Sequence, residues 1–195
     1  MDLHELYKQS DIFASIENAI KGNSNVDSGE LFTSLTYLNS KSTVFNLLND
    51  SDLYLIINFQ NGGEIVFEKN MNLQIGNIRL TLSKIMDLVD LKSLSVDAKI
   101  DKAFIEYHLN NKVEPLDLIL TSKSFLTYKE SHTIYIQRTI AILSNDNNGI
   151  PHFGFSCVNE VEKSEFDFGN FQLRSSSNDS ERVNDLASHI QSSLK

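Results

Sequence analysis

Cysteine, proline and glycine are scarce in this 195-residue chain, which holds one cysteine, two prolines, eight glycines and no tryptophan. The lone thiol, Cys157, excludes an internal disulfide and fits a reducing compartment. Pro115 and Pro151 impose few forced breaks. Basic residues are the minority charge: 17 Lys and Arg stand against 26 Asp and Glu, for a net charge of -9. A surface with that balance is not built to neutralise phosphates, and no run of Lys and Arg supplies a local patch, so direct nucleic-acid binding is not expected. Long apolar runs are absent too. None approaches the ~18 to 20 residues of a membrane helix, and the start, MDLHELYKQS, lacks the apolar core of a signal peptide. A cytoplasmic chain with no membrane attachment is the expectation.

Motifs of chemistry are also missing. There is no G-x-G-x-x-G, phosphate loop or G-x-S-x-G, and Gly62-Gly63 precedes a strand pattern rather than a helix. His4, His108, His132, His152 and His189 show no H-x-H or H-x-x-x-H spacing, so no metal site is expected. His108 reads as a surface histidine near a helix end. No catalytic residue stands out, and the chain is not expected to be an enzyme.

What the sequence does contain is a long hairpin, Ser131 to Val161. Over Thr133 to Ser144 the residues Ile134, Ile136, Ile140 and Ile142 alternate with polar neighbours, the mark of a half-buried strand. Asn145 to Gly149 forms a turn rich in residues that tolerate positive φ. Ile150 to Val158 then returns with Phe153, Phe155 and Cys157 on one face. Such a hairpin needs other elements to cover its apolar face.

The remaining chain supplies candidates. Leu3 to Ile20 is spaced as one or two amphipathic helices; Leu31 to Leu38 fits helix or strand, and Ser42 to Leu48 a short helix. Leu53 to Phe59 is a strand buried on both faces, Asn61-Gly62-Gly63 a hairpin turn, and Glu64 to Phe67 the return. Short helices are expected in Asn70 to Ile85. A longer helix runs from Met86 to Leu109, with Ile100, Ala103, Phe104 and Tyr107 as its buried stripe. Leu116 to Tyr128 is a further strand, and Lys129-Glu130-Ser131 the turn into the hairpin. After an acidic stretch with Phe166, Phe168 and Phe171, Ser175 to Asn178 has the composition of a linker. Val183, Leu186, Ala187, Ile190 and Leu194 mark a last amphipathic helix. This order implies an α+β fold: a five-stranded antiparallel sheet with helices on one face, plus helical segments at both ends. The expected units are residues 1–45, 46–162 and 163–195, the last being a linker and helix.

The pattern resembles a PAS domain. Leu53 to Phe67 is similar to the first PAS hairpin, and MDLVDLKSL, Met86 to Leu94, to a helix start that carries an aspartate. The segments FLTYK, TIYIQRTIAIL, NDNNG and IPHFGFSCVNEV resemble the last strands of PAS domains that precede helix-turn-helix modules in LuxR-type regulators. The residues after Val161 do not resemble that output module. The resemblance implies a sensory or protein-interaction module whose flanking helices shift when a ligand or partner binds, in a regulatory or transcriptional pathway. DNA binding is not implied. Cys157 does not lie in the helical motif of a photosensing flavin-adduct domain, so that cofactor is not expected. Nor is haem: His108, its candidate ligand by analogy with haem-binding PAS domains, reads as a surface histidine.

Arg138 falls on the same strand face as the isoleucines. A cation there must either anchor a small anionic or carbonyl ligand or pair with an acid. Ile136 and Ile140 beside it, with Phe104 and Tyr107 from the helix, are the expected lining of a ligand cavity. Asp97 and Asp101, one helical turn apart, read as part of a solvated acidic face. Tyr135, Ala141 and Leu143 give the other sheet face a mixed character, which suggests cover by a helix of the same or a second chain and hence a homodimer; a protein partner could also dock on the flanking helices. Two other classes remain open. One is a small enzyme with an α+β cavity, of cyclase or isomerase type, using His132 or His152 as base. The other is an interaction protein whose interior holds no pocket above ~300 Å³.

Overall fold

The structure is a computed structural model that describes residues 52–60, 63–89, 91–128, 132–163 and 170–195, with backbone alone at 91–93. The expected elements Leu3–Ile20, Leu31–Leu38 and Ser42–Leu48, the segment 61–62 of the first turn, the turn 129–131, and Phe166 and Phe168 lie outside the described residues.

Strands β1 (Leu53–Asn58) and β2 (Glu64–Asn70) form the first hairpin. A small hairpin follows, β3 (Gln74–Ile75) and β4 (Ile78–Arg79), then helices α1 (Leu82–Leu88) and α2 (Leu91–Asn111). Three long strands, β5 (Leu118–Tyr128), β6 (His132–Asn145) and β7 (Pro151–Val161), precede β8 (Phe171–Ser175) and helix α3 (Ser180–Leu194). The main sheet is antiparallel, in the order β2-β1-β7-β6-β5-β8. The α+β expectation holds, but with six strands in place of five. β8 is the addition. It pairs with β5, setting Leu173 opposite Leu120 and Phe171 opposite Ser122. So part of the stretch read as linker is a sheet edge.

The central hairpin forms as its alternation predicts. Its turn is closed by Asp146, whose carboxylate accepts from the backbone N–H of Asn148 (2.8 Å) and Ile150 (2.9 Å). Gly149 there has φ +78°, a conformation costly for residues with a Cβ. Pairing slips between Ile142 and Ser144.

Two expectations need correction between β2 and β5. Asn70 to Ile85 was expected to hold only short helices, but it contains the β3–β4 hairpin, turned at Gly76 with φ +59°. Leu73, Ile75 and Leu80 from this hairpin are buried. The helix expected from Met86 onward is two helices. Val89 caps α1 in extended conformation, φ -68° and ψ 136°, and forms a bridge to Leu126 of β5. Pinning that residue to the sheet breaks the helix.

The three helices among the described residues lie on one face of the sheet, over two apolar clusters. In the first, Phe104 and Tyr107 of α2 meet Leu118 and Leu120 of β5, Ile140 of β6, and Leu186 and Ile190 of α3. In the second, Leu53 and Leu55 of β1 meet Leu73, Ile85, Leu126 and Val158. Burying Leu186 and Ile190 stabilises the docked α3 by about 1.5–3 kcal/mol each before the entropy of ordering the segment is subtracted. On the opposite sheet face Tyr54, Ile56, Ala141, Leu143, Phe155 and Cys157 are also buried, and Tyr135 is half-buried.

Candidate functional site

The seam between the two clusters is not filled. A cavity of about 250 Å³ lies there, bounded by β1, β5, β6 and β7 on the sheet side and by α1 and α2 on the other. Its walls are mostly apolar: Leu55, Ile85, Leu94, Phe104, Ile136 and Ile140 among them. Met86, 49% exposed, and the exposed Ala98 place its mouth between the two helices. A wider surface depression of about 460 Å³, between Thr133–Tyr135 and Glu160–Lys163, lacks comparable walls.

Arg138 projects into the seam from the centre of β6. Strand alternation puts it there, opposite Ser122 of β5 and Val158 of β7. Its guanidinium forms a two-pronged pair with Asp101, both N···O distances 2.7 Å. Asp97 stands 3.9 Å away on the next turn of α2, and Ser122 Oγ accepts from Arg138 at 3.3 Å. Pairing with acids is therefore the arrangement found for this cation. The Arg138 Nε is buried without a partner.

Asp97 and Asp101 do share a helix face, but that face turns inward. Ser124 of β5 donates to Asp97. Burial pushes the Asp97 carboxyl above the ordinary carboxylate range, against the pull of Arg138 and Ser124. Burial also acts to lower Arg138, but Asp101 and Asp97 outweigh it and hold the guanidinium above its ordinary value. Ser156 of β7, opposite both Leu55 and Ile140, lines the cavity with its buried hydroxyl unpartnered.

Of the five residues expected around a ligand, Arg138, Ile136, Ile140 and Phe104 line this one cavity. Tyr107 does not. It sits at the contact of α2 with α3, where its hydroxyl donates to Asp185 at 2.9 Å. Burial and that bond push the phenol up to about 12. Neither His132 nor His152 lines the cavity; the first is exposed and the second half-buried.

His108 corrects the surface expectation, being only 1% exposed. Its Nδ1 lies 2.9 Å from the Phe104 carbonyl, which can only accept, so Nδ1 carries the proton and Nε2 is left bare and unpartnered. Burial brings the imidazole down to about 4.

A second polar cluster ties the C-terminal elements to the sheet. Asp117 accepts from Ser175 (3.2 Å), Ser176 (3.3 Å), Ser177 (2.7 Å) and the guanidinium of Arg182. Burial works to raise this carboxyl, but those donors hold it below the ordinary range. The serine run read as linker is thus a hydrogen-bonded turn. Its convergence on one aspartate depends on β8 pairing, which local composition does not reveal.

Among the described residues, no group of three or more His, Cys, Asp or Glu could hold a metal ion, and no helix is long and apolar enough to cross a membrane. No protein-family model matches the chain, and no curated protein matches it.

Proposed function

We propose that the chain is a PAS-like sensory module in which a small molecule enters the cavity and biases the flanking helix α3. The observation that carries this is the position of the cavity. Its roof is α2, and the same helix packs on α3 through Tyr107, Leu186 and Ile190. A ligand wedged under α2 can change the population of docked α3 by its difference in affinity for the two states. The reading draws support from an antiparallel sheet in the order β2-β1-β7-β6-β5-β8 with the described helices on one face. A cytoplasmic setting and a regulatory role belong to the same proposal.

A second reading has its own support. The volume of about 250 Å³ lies below the ~300 Å³ of common ligand pockets, which favours an interaction module signalling through α3. Homodimerisation is compatible with either reading. Ala141 and Leu143 on the second sheet face are already buried, so we place a partner, whether a second copy or another protein, on the flanking helices.

Hydrogen exchange of the full chain with and without benzene distinguishes the two readings. Sensing predicts slower exchange in α1 and α2 and an altered rate in α3. Unchanged exchange throughout leaves only the interaction reading.

A further inference from the structure

We infer that the cavity selects small amines: a compact apolar body carrying one ammonium group, held by Asp97. This rests on the cavity being a ligand site, and it names the ligand's chemistry.

The first observation is charge. Among the described residues, three charged side chains line the cavity: Asp97 and Asp101 from α2, and Arg138 from β6. Arg138 is committed to Asp101 through both prongs of its fork. Asp97 is left with a more distant 3.9 Å approach to the same cation and with Ser124 as donor. One cation facing two carboxylates leaves one negative charge in excess. A ligand anion would meet that charge, whereas a ligand cation would neutralise it in a place shielded from water. Burial raises the Asp97 carboxyl despite the pull of Arg138, and the Asp101 charge adds to the rise, so a ligand cation would relieve a carboxylate that is costly to keep charged.

The second observation is independent of charge. Ser156 is 2% exposed, lines the cavity and has no hydrogen-bond partner for its hydroxyl. Buried hydroxyls are rarely left so. Ser156 lines the sheet wall and Asp97 the helix wall of the same cavity, so the hydroxyl offers an acceptor for one ammonium hydrogen while the carboxylate accepts another. The third observation is size. A cavity of about 150 Å³ holds benzene, so about 250 Å³ accommodates a body of roughly ten non-hydrogen atoms.

The test compares three probes of nearly equal shape on the full chain by calorimetry: 2-phenylethylamine, 2-phenylethanol and phenylacetate. The amine is expected to bind about tenfold tighter than the alcohol, with phenylacetate weakest. Asp97→Asn should remove the amine's advantage and leave alcohol binding in place. If that variant does not fold, the probe series on the unmodified chain decides alone. Equal binding of amine and alcohol, or preference for phenylacetate, overturns the amine inference and leaves the cavity as a ligand site. Binding of none of the three overturns the cavity reading, and the amine inference with it.

Discussion

Arg138 of β6 and Asp101 of α2 are joined by two parallel hydrogen bonds of 2.7 Å each, across the floor and roof of the cavity. The pair is partly buried, with side chains 22% and 28% exposed. It fixes how α2 lies on the sheet. Truncating one partner strands the other charge in a poorly hydrated place. Arg138→Met is expected to cost about 3 kcal/mol in urea denaturation. The double variant Arg138→Met with Asp101→Leu should recover most of that. A single variant as stable as the parent would show that the pair is not needed to seat α2.

Acid should destabilise the fold through the buried His108. Its imidazole has a folded value of about 4, below the ordinary 6.5. The unfolded chain therefore binds more protons between those two values, and stability falls as pH drops through that window. The loss is roughly 3 kcal/mol at most. Above pH 6.5 this contribution is fully present. Replacing His108 with Leu should flatten the stability profile between pH 6.5 and 4, measured by urea titration at each pH. A slope unchanged by the replacement would place the proton uptake elsewhere.

Asp117 is the acceptor on which the last strand and helix converge. Its carboxyl is depressed, so its contribution is present above the ordinary carboxylate value and lost as pH falls through the lower folded value. Asp117→Ala leaves Arg182 and three serine hydroxyls without their shared acceptor. We expect a loss of about 2 kcal/mol. Hydrogen exchange should be faster within Phe171–Leu194 and less changed in β1 and β2. Uniform acceleration over the whole chain would mean that the C-terminal elements do not open separately.

Gly154 of β7 has no room for a side chain. A Cβ built there would stand 2.5 Å from the ring of Phe59, which lines the cavity. Gly154→Ala must displace that ring, at a cost of about 1–3 kcal/mol. Because the ring bounds the cavity, benzene should bind this variant differently from the parent. Identical stability and identical benzene affinity would show that Phe59 is free to move without consequence.

Strand periodicity made much of this legible in the sequence. The alternation of Ile134 to Ile142 placed β6 and put Arg138 on its helix-facing side, and the spacing of Ile100, Ala103, Phe104 and Tyr107 gave the buried stripe of α2. Tertiary pairing decided the rest. The inward turn of Asp97 and Asp101 follows from Arg138 standing opposite them from a strand far later in the sequence. Strand β8 spans only Phe171–Ser175 and is stabilised by its partner β5, so its own residues carry little signal. The break at Val89 depends on its bridge to Leu126. Tyr107 shares the helical stripe of Phe104, which points it to the cavity by spacing alone, yet it serves the contact with α3 instead.

Sensing by this chain requires that the space under α2 admit a small molecule and that α3 respond. Methyl-resolved NMR of the full chain, titrated with benzene, examines both at once. The predicted result is saturable shifts at Ile85, Ile105, Ile136 and Ile140, which border the cavity, together with smaller shifts at Leu186 and Ile190 of α3. Spectra that stay unchanged to the solubility limit of benzene would contradict it.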